Sequence, residues 1–293
     1  MSWKTIVAPE TVAIALHRPD VVLVDCRHRL NDPGFGQTAW LSSHVPGAVF
    51  CHLDRDMADT KSSGDGRGAG GGRHPLPDVG RFCETLGKLG ISPDSQVVAY
   101  DERDGSMAAA RFWFLLRLLG HQKVAVLDGG FSRWTSQGMP TSNAPRRRAA
   151  QTYRGVFDTS RLIDSRGVLE RLNSDGHAPG WLIDARSRER FTGEVEHIDR
   201  IAGHIPGAVN RPYTANLKPD GRFLTAIELA AGFRELARDR DPSELVVMCG
   251  SGVTACHHLL AMERCGLYGA KLYADSWSGW ITDSSRPVAS EVA

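Results

Sequence analysis

The chain carries almost no net charge. Its 35 Lys and Arg face 34 Asp and Glu, a formal charge of +1 across 293 residues. No broad field would draw it to nucleic acid or to an anionic membrane, so neither is an expected partner. It also lacks an apolar run long enough to span a bilayer. Its opening, "MSWKTIVAPETV", shows no basic stretch followed by an apolar one. A cytoplasmic location is the expectation. Cysteine is scarce: Cys26, Cys51, Cys83, Cys249, Cys256 and Cys265, with no C-x-x-C pair. Such spacing excludes a dense disulfide framework and argues against a thiolate zinc site, so no metal and no cofactor are expected. The glycine-rich stretch at 61–75, "KSSGDGRGAGGGRHP", lacks the Gly-Lys-Ser/Thr ending of a phosphate loop and reads as a flexible surface loop.

What the chain does have is a repeat. "VLVDCR" (22–27) returns as "WLIDAR" (181–186), and "SHVPGAVF" (43–50) as "GHIPGAVN" (203–210). "QVVAYD" (96–101) returns as "LVVMCG" (245–250), and "LDGGFSRW" (127–134) as "YADSWSGW" (273–280). Four blocks in the same order argue for two copies of one domain. In each copy, short valine-rich runs alternate with segments of helical spacing, as in "RFCETLGKLG" and "SMAAARFWFLLRLLG". This alternation predicts an α/β fold in which each domain is a mostly parallel central sheet flanked by helices. The polar stretch around "APRRRAAQTYRG" reads as a solvated linker, here set at 143–158, between a domain over 1–142 and another over 159–293.

The segment "LVVMCGSGVTACHHLLAM" (245–262) holds the chemistry. A buried strand runs straight into Cys249, and Gly250, Ser251, Gly252, Val253 and Thr254 then turn the chain into a helix. In open α/β sheets ligands bind beyond the carboxyl ends of the strands, so the fold itself brings the sulfur to that edge. Glycines let successive amides converge on one point, and the helix adds its N-terminal partial charge. Both favour a thiolate and stabilise negative charge on whatever it binds. A buried, inert thiol is the plainer reading; it suits Cys26, Cys83, Cys256 and Cys265 better than Cys249. Cys256 as a resolving thiol is the weaker alternative to core packing. A phosphatase built on such a loop needs an arginine after the five-residue span to clamp the phosphoryl group, and Ala255 stands there.

The paired "HVPGAV" and "HIPGAV" blocks, the "LVDCR" and "LIDAR" strand ends, "LDGG" before a tryptophan, and "CGSGVT" together resemble the tandem-domain rhodanese family of sulfurtransferases. The resemblance runs over nearly the whole chain. It implies two rhodanese-like domains, the first non-catalytic, since Tyr100 and Asp101 stand where its nucleophile would be. It implies transfer of a sulfane sulfur from 3-mercaptopyruvate or thiosulfate, through a Cys249 persulfide, to a thiol, thioredoxin or cyanide. The loop, without basic residues at Gly250 and Ser251, is similar to that of mercaptopyruvate enzymes. The family's donor-binding arginine matches Arg190 in "RERF", with Arg186 and Arg188 as surface or structural charges. Mercaptopyruvate members carry a second arginine where this chain has Asp199, a position that resembles thiosulfate members instead, and the next residue, Arg200, is the candidate to reach the same spot. Asp54, His74 and Ser251 match a proton relay proposed for mercaptopyruvate members at the domain interface. A non-catalytic binding protein built from two such modules is the competing reading, and the presence of Cys249 weighs against it.

Overall fold

The computed structural model describes residues 2–59, 71–174, 178–238 and 240–292. They fall into two compact units. One comprises Met1–Ala58, Leu76–Asp158 and Leu217–Phe223; the other comprises Asp59–Pro75, Thr159–Asn216 and Leu224–Ala293. Each contains one five-stranded sheet in which every pairing is parallel.

In the first unit the strands are β1 (Ile6–Val7), β2 (Val21–Asp25), β3 (Val49–Phe50), β4 (Gln96–Tyr100) and β5 (Val124–Leu127), in the order β1-β5-β4-β2-β3. The central strands β2, β4 and β5 are buried at every position. That burial is why their sequences are continuous apolar runs rather than alternating ones. Helices Val79–Lys88 and Ala109–Leu118 form where helical spacing placed them. The Asp78 side chain accepts from the Arg81 amide at 2.9 Å and caps the first of these. The core packs Val12, Leu23, Val98, Tyr100, Leu127 and Trp134 together.

The second unit repeats this plan. Its strands are β6 (Leu162–Ile163), β7 (Leu182–Asp184), β8 (Val209–Asn210), β9 (Val246–Met248) and β10 (Lys271–Tyr273), in the order β6-β10-β9-β7-β8. Thr225 and Glu228 close a reciprocal capping box at the start of helix Ala226–Ala237. The core contains Trp181, Leu182, Phe191, Val246, Met248, Trp277 and Trp280. Among the described residues no helix is long and apolar enough to cross a membrane.

The repeat extends to single hydrogen bonds. Arg27 binds the Asp25 carboxylate and the Ser43 carbonyl, and Arg186 binds Asp184 and the Gly203 carbonyl, each through the same atoms. Each guanidinium lies over an aromatic ring, Phe131 in the first unit and Trp277 in the second. Arg186 is thus a buried structural charge, and Arg188 is an exposed one paired with Glu291.

One expectation, the flexible surface loop at 61–75, meets its limit here. The glycine-rich stretch lies outside the described residues through position 70. Residues 71–75 are not a surface loop: Gly72, His74 and Pro75 are buried. A methyl on Gly72 would stand 2.8 Å from the Asp275 carbonyl oxygen, so glycine there permits a close backbone approach that any side chain would block.

Candidate active site

β9 delivers Cys249 to the carboxyl edge of the second sheet, and the helix Ala255–Arg264 begins six residues later. Between them the loop is braced from below by the segment that follows β10. Trp277 N–H donates to the Cys249 carbonyl at 3.0 Å and Ser278 N–H to the Gly250 carbonyl at 2.9 Å. The Cys249 amide donates to Ser276 Oγ at 3.1 Å, and that hydroxyl donates to the Tyr273 carbonyl at 2.9 Å. Gly252 has φ +74°, and a methyl there would meet the Ala274 carbonyl oxygen at 2.3 Å. Position 252 therefore admits no side chain without moving the loop.

With its carbonyls tied down, the loop turns its amides the other way. Among the described residues the amides of Gly250, Ser251, Val253 and Thr254 donate to no protein acceptor, although Gly250, Ser251 and Val253 are buried. Buried N–H groups without a partner are costly, and a bound anion satisfies several at once. Cys249 itself retains only 3% exposure. The residue is more enclosed than a strand-end position alone requires, its backbone held by residues 276 and 277. Cys26, Cys51 and Cys256 are fully buried; burial pushes the Cys26 and Cys51 thiols well up, and the Cys256 sulfur faces the Gly252 carbonyl at 3.4 Å.

The first unit supplies an internal comparison. Phe131 and Ser132 amides donate to the Asp101 and Glu102 carbonyls as Trp277 and Ser278 do to Cys249 and Gly250. Asp101 therefore occupies the position of Cys249. Its carboxylate accepts from the amides of Gly105, Met107 and Ala108 at 2.8, 3.1 and 3.4 Å. Burial and neighbouring Asp104 nevertheless push Asp101 up to about 6. In the first copy the loop is filled by its own side chain; in the second it is not.

Other sequence-designated residues converge on the loop. His74 Nδ1 lies 2.8 Å from Ser251 Oγ, with both side chains nearly buried, at 5% and 7% exposure. Arg190, in the short helix Arg188–Thr192, lays its guanidinium over Gly250: a methyl on that glycine would stand 3.4 Å from Arg190 Nη1. The Arg190 Nε donates to both Glu196 carboxylate oxygens at 3.1 and 3.0 Å, and Nη2 donates to Asp199 Oδ2 at 2.8 Å. Burial opposes ionisation of Glu196, but the Arg190 hydrogen bonds and the amides of Ile198 and Asp199 hold it below its ordinary value. Asp199 is thus a partner of Arg190, not a lost arginine. Arg200 donates to the Ile281 carbonyl.

Asp54 lies in the first unit, in the short helix Leu53–Asp56, where its amide donates to His52 Nδ1 at 3.1 Å. Side-chain atoms of His28, His52 and Asp54 come within 4.8 Å of one another, a spacing that could hold an ion. Both His52 nitrogens are already engaged, however, Nδ1 by backbone amides and Nε2 by the Pro33 carbonyl at 3.0 Å.

One residue over the loop was not among those read from the sequence. Arg73 Nη2 would stand 3.3 Å from the same methyl on Gly250, and Arg73 Nη1 donates to Asp199 Oδ1 at 2.7 Å. An arginine inside a glycine-rich stretch gives no periodic signal. Only its neighbour His74 marked the segment.

The rhodanese-like domain model matches the chain twice, over residues 8–137 and 165–283. The chain is 43% identical over 290 residues to a probable 3-mercaptopyruvate sulfurtransferase of Pseudomonas aeruginosa, covering 99% of both chains. It is 36% identical to a putative thiosulfate sulfurtransferase of Mycobacterium tuberculosis, covering 97% of this chain and 95% of that one. Among solved structures, the 3-mercaptopyruvate enzyme of Escherichia coli superposes with a TM-score of 0.78 at 29% identity, over 94% of this chain and 99% of that one. The chain belongs to the rhodanese family as a tandem-domain sulfurtransferase.

Proposed function

We propose that the protein moves a sulfane sulfur from 3-mercaptopyruvate to a thiol acceptor through a persulfide on Cys249, with thiosulfate as the lesser donor. The observation that carries this reading is the loop 249–254: a cysteine followed by amides at 250, 251, 253 and 254 that meet no protein acceptor among the described residues, with two guanidinium groups beside Gly250. In this account the Cys249 thiolate attacks the donor sulfur. The carbon–sulfur bond breaks and its electron pair passes to the carbon, giving the enolate of pyruvate. The donor's thiol proton passes through Ser251 and His74 to that carbon, so the products are pyruvate and an ionised Cys249 persulfide. The hydroxyl–imidazole contact of 2.8 Å supports this relay. The loop amides then hold the persulfide charge as they would any anion. A thiol, such as that of thioredoxin, attacks the outer sulfur, takes it up and leaves the Cys249 thiolate; cyanide would serve equally.

Donor preference follows from charge and space. Gly250 and Ser251 bring no cation into the loop, and the positive charge beside Gly250 comes from Arg73 and Arg190. A carboxylate suits the planar fork of a guanidinium. The test is mass spectrometry after incubation with each donor. The Cys249 peptide should gain about one sulfur mass, reversed by cyanide or a thiol. Cys249→Ser should lose both the mass gain and turnover with every donor. Near wild-type turnover in that variant would remove the cysteine from the reaction, and its small exposure makes this the decisive measurement.

A further inference from the structure

Two guanidinium groups, not one, stand over the catalytic loop. Arg73 Nη2 and Arg190 Nη1 approach one point above Gly250 to within 3.3 and 3.4 Å. One further nitrogen of each is tied by a shared carboxylate: Asp199 Oδ1 accepts from Arg73 Nη1 and Oδ2 from Arg190 Nη2. The two nitrogens facing the loop donate to nothing among the described residues, and Arg73 Nε is buried without a partner. An unsatisfied buried donor on a cation is costly unless an anion completes it.

The placement of Arg73 is built into the fold. Its own amide donates to Ser278 Oγ at 3.0 Å, and Ser278 is the residue whose amide ties down the Gly250 carbonyl. Gly72 and Gly279 make the close approach possible, because a methyl on Gly72 would strike the Asp275 carbonyl and one on Gly279 would lie 3.2 Å from the Gly72 amide. The segment that braces the loop thus also carries the second guanidinium. Arg200, the residue next to Asp199, is committed to the Ile281 carbonyl.

We infer that Arg73 is the second donor-binding cation: together with Arg190 it clamps the carboxylate of a 2-oxo-3-thio acid above Gly250, while Asp199 fixes the spacing of the pair. The inference rests on the sulfurtransferase reading for the identity of the donor, but the clamp itself requires only a small carboxylate.

The experiment measures two quantities on the full chain. One is the dissociation constant of pyruvate, which has the donor's carboxylate and keto group but no sulfur, by titration calorimetry. The other is the separate kcat and KM with 3-mercaptopyruvate. Arg73→Ala should weaken pyruvate binding and raise KM about tenfold or more, with kcat changed far less. Arg73→Lys keeps the charge without the fork and should fall between, with an unchanged thermal midpoint showing that the loop is still folded. Wild-type affinity and wild-type KM in Arg73→Ala would overturn the inference, as would wild-type protein that does not bind pyruvate. If wild type binds pyruvate through Arg73 but transfers no sulfur, the clamp stands and the sulfurtransferase reading falls. If sulfur transfer proceeds while Arg73→Ala leaves pyruvate binding and KM untouched, the reading stands and the clamp falls.

Discussion

Arg190 holds two carboxylates behind it and offers one nitrogen in front, so its replacement has two effects. Arg190→Ala removes a charged donor from the donor site and leaves Glu196 and Asp199 with one partner fewer. Charged hydrogen bonds of this kind are worth about 1.5–3 kcal/mol each. The expected outcome is a fall in kcat/KM with 3-mercaptopyruvate of roughly tenfold to a hundredfold, carried mainly by KM. A specificity constant equal to that of wild type would assign this arginine to structure alone. Glu196, held below its ordinary value by that same arginine, should in the variant titrate closer to it, so the variant is less stable than wild type near neutral pH and the difference narrows in acid.

The strand–loop–helix element works because its carbonyls and its amides face different ways. Carbonyls of Cys249 and Gly250 are consumed by residues 277 and 278, while the amides of Gly250, Ser251, Val253 and Thr254 meet no protein acceptor among the described residues. Gly252 is the hinge of this arrangement. Gly252→Ala must hold a left-handed backbone, at about 1–2 kcal/mol, and also press a methyl into the Ala274 carbonyl. Loss of sulfur transfer is expected, together with a thermal midpoint lower by several degrees. An active variant with an unchanged midpoint would show that the loop reaches its working shape by another route. The strand, the helix and the glycines of this element were all legible in the sequence, because apolar runs and glycine spacing are local. The bracing of Cys249 was not, since it is made by residues 276 and 277.

Two copies of one fold divide the work of the whole molecule. The first copy fills its loop with the Asp101 carboxylate, and in the second Cys249 stands at that position. Donor treatment should therefore add one sulfur per chain, not two. The second copy also contributes to the acid sensitivity of the molecule. His258 is fully buried, accepting from Asn216 Nδ2 at 2.8 Å and donating from Nε2 to the Arg211 carbonyl at 2.8 Å. Burial, aided by the Arg211 charge, lowers it from 6.5 to about 3. The unfolded chain takes up this proton below 6.5 while the native one refuses it, so stability is lost as pH falls from 6.5 toward 3. By pH 5 the cost is about 2 kcal/mol. Urea unfolding at pH 8 and pH 5 should show this loss in wild type and not in His258→Gln; equal losses in both would place the titrating group elsewhere.

Composition, periodicity and the internal repeat were enough to determine an α/β chain of two parallel sheets, with a cysteine at a strand end. Those features depend on neighbours along the chain, where backbone geometry and apolar spacing act directly. The sequence also marked Arg190, His74 and Ser251, through motif position. What only the tertiary structure decided is the chemistry of charge around the sulfur. Asp199 proved to be the anchor of an arginine pair, Arg200 turned to a carbonyl, and Arg73 arrived from a glycine-rich stretch 176 positions before Cys249. Electrostatic partners are chosen by distance in space, and no local pattern records which distant backbone will make room for them.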